Sequence, residues 1–314
     1  MKRIDVHSHI LPPEYMAYIA RNGGLLEDSM RLPPWDEQET LDFMARAGIE
    51  WSLVSVSSPH PYYIGDEAEG VAVCRRINEF CAALVRRHPD KFKFTAVVPL
   101  PDVDAAVKEA VYALDALGAS GIKLASNNRG QYLGAKELAP LYEELNRRKA
   151  IINLHPHRPA PMQENAFPAK VIPLFEFLCD TTRTVLDMIG SGVIGRYPEL
   201  KIIVPHCGAF LPCIADRASG LLPHMFGLGL LENEVHVKEA LAQLYYDTAG
   251  NPVPDLLPLL MKIAPAEHIL YGCDYPFTPA EGCIAGGNAL EAFLENDPAL
   301  REAVFFKNAE KLFT

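Results

Sequence analysis

The stretch Ile4-Asp5-Val6-His7-Ser8-His9 decides the fold. It reads as a short buried strand that ends in a His-X-His pair. Side chains alternate along a strand, so His7 and His9 point the same way. Two imidazoles on one face of a strand end can reach one metal ion, and borderline-soft divalent metals such as Zn²⁺ favour imidazole nitrogen. Taken alone, the pair is equally the pattern of two chance core histidines. Three later segments supply partners for it. Ala150-Ile151-Ile152-Asn153-Leu154-His155 and Lys201-Ile202-Ile203-Val204-Pro205-His206 are apolar runs that end in histidine, and His268-Ile269-Leu270-Tyr271-Gly272 leads at once into Cys273-Asp274.

Working outward, strands are also expected over residues 51–55, 93–98, 121–125 and 244–247. Helical spacing marks 13–21, 36–47, 68–87, 104–117, 136–148, 169–189 and 253–263, with a further helix opened by Gly208 and Pro212 and one or two more at the C-terminus. Gly48 and Gly118 suit the ends of their helices, and Asp102 or Asp104 suits the start of the helix over 104–117. Eight strands alternating with helices imply a parallel sheet and, by their number, a (β/α)₈ TIM barrel formed by residues 1–314 as a single domain. In such barrels the chemistry sits at the C-terminal ends of the strands. His7 and His9, His155, His206 and Asp274 fall at those ends on strands one, five, six and eight. An open doubly wound sheet, the structural alternative, would bring fewer of them together.

Composition narrows the partners. The net charge of −11 argues against nucleic acid and against an anionic membrane surface. No basic segment precedes an apolar core in the manner of a signal peptide, and no apolar run approaches the roughly 20 residues that span a bilayer. Seven scattered cysteines without a Cys-X-X-Cys fit reduced thiols in a cytoplasmic protein.

With these residues in place, the sequence resembles the amidohydrolase superfamily over essentially its whole length. It is most similar to the branch of α-amino-β-carboxymuconate-ε-semialdehyde decarboxylase and 6-methylsalicylate decarboxylase. The shared text is Asp5-Val6-His7-Ser8-His9, Ile203-Val204-Pro205-His206-Cys207-Gly208-Ala209, Tyr246-Asp247-Thr248-Ala249 and Tyr271-Gly272-Cys273-Asp274-Tyr275-Pro276, with Leu32-Pro33-Pro34-Trp35 and Tyr132-Leu133-Gly134 beside it. The resemblance implies one divalent metal, zinc before manganese, held by His7, His9, His155 and Asp274. It implies His206 as general acid/base beside Asp274. It implies that Arg217, in Asp216-Arg217-Ala218-Ser219-Gly220, binds substrate carboxylate from the neighbouring subunit of a homodimer. The family's other carboxylate-binding arginine has Arg31 as its only candidate, in a poorly matching context.

The implied activity is non-oxidative decarboxylation of a small aromatic or unsaturated carboxylic acid. The alternatives on the same barrel are metal-dependent hydrolysis of an amide, lactone or ester, and hydration of an unsaturated diacid. Lys123 bears on that choice, because binuclear hydrolases of the superfamily carry a carboxylated lysine on strand four. The plain reading of Lys123 is a solvated or salt-bridged lysine. Asp247 suits a carboxylate that orients a neighbouring ligand. His60 and Tyr132 are expected at the mouth of the site. Tyr62, Tyr63, Asn127 and Arg129 read as loop surface, and His157 as the loop neighbour of His155. Cys207 and Cys273 should turn away from the site as small packing residues.

Overall fold

The computed structural model describes residues 1–26, 29–61, 66–163, 165–166 and 170–314. Eight strands pair in parallel and in chain order: β1 (Arg3–His9), β2 (Ile49–Ser55), β3 (Phe92–Val97), β4 (Gly121–Ala125), β5 (Ile151–His155), β6 (Lys201–Val204), β7 (Tyr245–Asp247) and β8 (Ile269–Leu270). The segment after β8 closes the ring onto β1. Ser8 bridges Tyr275 in parallel. Val6 N donates to Tyr271 O at 2.9 Å, Asp274 N to His7 O at 2.8 Å and His9 N to Tyr275 O at 2.7 Å. The expected (β/α)₈ TIM barrel is the observed fold.

The helices are α1 (Pro13–Arg21), α2 (Glu37–Ala47), α3 (Glu67–Arg87), α4 (Val103–Asp115), α5 (Ala139–Arg147), α6 (Ile172–Gly190), α7 (Val193–Arg196), α8 (Leu211–Gly227), α9 (Val237–Gln243), α10 (Leu256–Leu260), α11 (Ala280–Phe293), α12 (Pro298–Glu302) and α13 (Asn308–Leu312). Their ends follow local chemistry. The Asp36, Asp66 and Asp102 side chains accept from the amides of Glu39, Glu69 and Ala105 at the starts of α2, α3 and α4. Gly48 ends α2 at φ 70°, a conformation that costs glycine nothing. None of the described helices is long and apolar enough to cross a membrane.

The core has two parts. Between sheet and helices lies the larger apolar shell, which includes Val54, Phe94, Leu154 and Val204. Inside the barrel a smaller cluster joins Ile4, Val6, Leu53, Ile151, Ile203 and Leu270 to Ala309 and Leu312, so α13 plugs the end away from the His-X-His pair. Each such side chain contributes about 1.5–3 kcal/mol by leaving water.

Strict alternation fails at β1. From Asp5 to Ser8 the strand advances three residues while β2 advances two, from Ser52 to Val54. This β-bulge lets Ile4 and Val6 fill the barrel interior and still presents His7 and His9 to that interior one layer higher. Without the extra residue the two sets would face opposite ways.

Two strands end two residues earlier than expected. β6 stops at Val204, and His206 sits beyond it in a turn with φ 55°. β8 stops at Leu270, because the Tyr271 amide leaves the ladder for the carbonyl of Val304. Three short or medium helices, rather than one or two, finish the chain.

Candidate metal centre

The mouth end of the barrel gathers the five expected side chains, His7, His9, His155, His206 and Asp274, in two overlapping groups. His7 Nδ1 donates to Asp247 Oδ2 at 2.8 Å, His9 Nδ1 to the Ser55 carbonyl at 3.3 Å and His155 Nδ1 to the Pro156 carbonyl at 2.8 Å. All three partners are acceptors only, so each Nδ1 carries a proton and Nε2 is the nitrogen left to offer a lone pair to a metal. Those lone pairs converge. His7 Nε2 and His9 Nε2 are 3.1 Å apart, and the ligand atoms of His7, His9 and His155 lie within 4.8 Å of one another. Asp274 Oδ1 completes the set at 3.1 Å from His9 Nε2 and 3.4 Å from His7 Nε2. Three imidazoles and a neighbouring carboxylate fit a single divalent cation.

The electrostatics agree. Burial lowers the His7 imidazole, but Asp247 and Asp274 outweigh it and hold His7 well above its ordinary value. Burial raises the Asp274 carboxyl, yet His7 and His206 bring it well below the usual range. Burial takes His9 down to about 4, and it takes His155 well below its ordinary value with help from His9. The site as a whole favours one added positive charge.

Asp247, fully buried, does more than orient His7. Its Oδ1 also accepts from the backbone amides of His206 and Ala249, each at 3.0 Å. One carboxylate therefore sets both the His7 ring and the turn that carries His206. Asp5 plays a similar part on the other side, accepting from His7 N at 3.0 Å and from Cys273 N at 3.2 Å; burial pushes its carboxyl up to about 7. Gly272 is required where these meet, since a Cβ there would lie 2.8 Å from the His7 Cβ and 3.2 Å from the Asp247 Cβ.

His206 Nε2 lies 3.8 Å from Asp274 Oδ2, and the ligand atoms of His7, His206 and Asp274 form a second group within 4.8 Å of one another. Its Nδ1 is buried and has no hydrogen-bond partner among the described residues. His206, Asp274 and His155 line a cavity of about 480 Å³ whose walls include Leu174, Phe177, Phe210, Leu256 and Phe277. Ser57 also faces it, with Oγ 3.4 Å from His155 Nε2.

Other expected residues lie elsewhere. Tyr132 does not line this cavity: its hydroxyl donates to Asp180 Oδ1 at 2.5 Å, within a small hairpin (Asn127–Asn128 with Gln131–Tyr132) braced against α6. His60 is also absent from the lining; it is buried, and its amide donates to His157 Nε2 at 3.2 Å. Asn127 is buried rather than on the surface, because it too bonds Asp180. Lys123 is not solvated: it is 1% exposed and donates to the Ser57 carbonyl at 3.0 Å. Arg217 is exposed on α8 and does not line the cavity of its own chain, although Cys213 one turn earlier does, and Arg31 is exposed between the lining residues Met30 and Leu32. Tyr62 and Tyr63 lie outside the described residues. Cys207 and Cys273 are buried away from the lining, as expected, and Cys273 Sγ donates to Asp5.

Asp180 and the aromatic cavity wall were missed. Asp180 lies mid-helix in α6, where nothing local marks an acid as buried. Phe177 and Phe210 follow apolar helical spacing that is indistinguishable from core in one dimension.

The amidohydrolase family model matches residues 4–314. The decarboxylase yanB of Aspergillus niger is 34% identical to the chain, covering 100% of it and 88% of the relative. The 6-methylsalicylic acid decarboxylase of Penicillium expansum is 34% identical over 93% of the chain and 90% of its own length. A solved amidohydrolase II superposes with a TM-score of 0.93 at 36% identity, covering 99% of each chain.

Proposed function

The chain belongs to the amidohydrolase family, and within it we propose that this protein is a metal-dependent, non-oxidative decarboxylase of a small aromatic carboxylic acid. One observation carries the reading: His206 and Asp274 face a largely apolar cavity that also reaches His155 of the converging histidine cluster. The decarboxylase names of its relatives in Aspergillus niger and Penicillium expansum support it.

We assign His7, His9, His155 and Asp274 as ligands of one divalent metal, zinc in preference to manganese because the set is rich in imidazole. Bound there, such an ion supplies Lewis-acid pull on the phenolate and carboxylate oxygens of an ortho-hydroxy acid. The chain's own residues do the rest. Asp247 fixes the His7 ring and the His206 turn. The aromatic wall holds the substrate ring and excludes water. Protonated His206, steadied by Asp274, gives its proton to the ring carbon that bears the carboxylate. A C–H bond forms, the C–C bond to the carboxylate breaks, its electrons restore the aromatic ring and CO₂ leaves. His206, whose side chain is 18% exposed, takes a new proton from water at the mouth.

We further read residues 1–314 as one domain, working as a homodimer in which Arg217 serves the partner's substrate. The exposed Leu221, Phe226, Leu228 and Leu230 on and just after α8 favour self-association near Arg217. The seven unpaired cysteines suit the reducing cytoplasm.

The test is CO₂ release from hydroxybenzoates by protein loaded with zinc or manganese, against a chelated control. His206→Ala is expected to keep its metal and lose turnover by about 10²–10⁴-fold. Full turnover in that variant would remove His206 from the mechanism.

A further inference from the structure

Lys123 is a buried polar residue that the proposed chemistry leaves unused. It lies on β4, is 1% exposed and does not line the cavity. β3 stands between β4 and β2, yet Lys123 Nζ reaches past it and donates to the Ser57 carbonyl at 3.0 Å. Taking a lysine head group out of water costs stability, so an apolar side chain would fill the same space more favourably.

Ser57 belongs to a short segment that leaves the sheet. The ladder from β2 to β3 ends at Val54, and the ladder to β1 ends at Ser55. This segment touches two of the assigned ligands. The Ser55 carbonyl accepts from His9 Nδ1 at 3.3 Å and from the Ile10 amide at 3.0 Å. Ser57 Oγ lies 3.4 Å from His155 Nε2. Two residues on, the Pro59 carbonyl accepts from the Tyr15 hydroxyl at 2.8 Å.

Resting on the reading of His7, His9, His155 and Asp274 as metal ligands, we infer that Lys123 is a positioning residue of the metal centre. Through the Ser57 carbonyl it fixes the end of β2, and with it the Ser55 carbonyl that orients His9 and the Ser57 hydroxyl beside His155. It is not a carboxylated bridge between two metals. Lys123 Nζ serves a carbonyl as a donor, whereas a carbamate would turn acceptor oxygens towards that same carbonyl.

The experiment compares the full chain with Lys123→Met, an apolar side chain of similar length. The variant is expected to keep or raise Tm, because a buried head group is removed. Its zinc affinity, measured by competition with a chromophoric chelator, should nevertheless fall about 10- to 100-fold. A lysine that merely filled the interior would not produce that split. The cobalt-substituted centre gives a second readout: its visible absorption should shift as the His9 ring loses its fixed orientation. Lys123→Gln can still donate, on a slightly shorter stem, and is expected to lie between the two; it carries the test if Lys123→Met does not fold. Carbon NMR of the native chain in labelled bicarbonate should show no carbamate. Unchanged affinity with an unchanged cobalt spectrum in a folded variant overturns the positioning role and leaves the ligand reading standing. A carbamate signal that Lys123→Met abolishes overturns it too. A native chain that binds neither zinc nor cobalt overturns the ligand reading, and the positioning role with it.

Discussion

Asp247 accepts from His7 Nδ1 and from the His206 amide, so its loss should be felt at both residues. Asp247→Asn can donate an N–H where the carboxylate accepted, which permits the wrong His7 tautomer. Metal affinity is expected to fall about 10- to 100-fold, as measured by competition with a chromophoric chelator; unchanged affinity would confine Asp247 to a packing role. The charge balance at His7 makes a second expectation. His7 is held protonated well above its ordinary value by Asp247 and Asp274, so an incoming metal must displace that proton. Chelator-treated protein titrated with zinc near neutral pH should release about one proton per metal, and apparent affinity should weaken as pH falls. A pH-independent affinity in weakly buffered calorimetry would contradict this. At this scale the candidate ligands were legible because His-X-His and strand-end histidines carry a spacing. That Tyr132 bonds Asp180 and the His60 amide bonds His157, both outside the cavity lining, was not legible, because a polar side chain in a loop looks the same whether it faces substrate or a neighbour.

Among the elements, α6 and the loop after β4 show how an unremarkable segment positions the centre. The Asp180 carboxylate accepts from the side chains of Ser126, Asn127, Tyr132 and Arg183. Ser126 Oγ in turn accepts from His157 N at 2.9 Å, two residues beyond His155. Asp180→Ala would leave several buried donors without an acceptor and should cost about 1–3 kcal/mol of stability. It should also loosen metal binding through the His155 strand end. Equilibrium denaturation together with metal competition tests this; a stability loss with untouched metal affinity would show that the hairpin and the metal centre are independent. The bounds of α1 to α4 were legible within about two residues, in part because end residues such as Gly48 and Asp102 are local chemistry. The β1 bulge was not, since an extra residue in a strand exists only relative to its partner.

For the whole molecule, closure is the governing fact. The first strand bonds to the segment just after the last, and this brings His7 and Asp274, far apart in the chain, within hydrogen-bonding reach. The homodimer reading is tested at the same scale by mixing chains. Arg217→Ala and His206→Ala are each expected to be nearly inactive. If Arg217 serves the partner's site, mixed dimers carry one site with both residues intact, so co-refolding the two variants should regain activity that neither has alone. No recovery from a mixed dimer verified by mass would place Arg217 outside the site.

Strand-end histidines, alternation of strands and helices, and capping residues are properties of neighbours in the chain. The sequence by itself therefore determined an eight-unit barrel, its rim and the residues able to hold a metal. Tertiary structure alone decided what depends on partners distant in the chain. The bulge turns His7 and His9 inward above Ile4 and Val6, Asp247 serves two histidines at once, and Asp180 holds the hydroxyl of Tyr132, which had been expected at the mouth. It also built an apolar, cation-poor cavity from residues of several loops and helices, because the charge and shape of a cavity belong to no single stretch of chain.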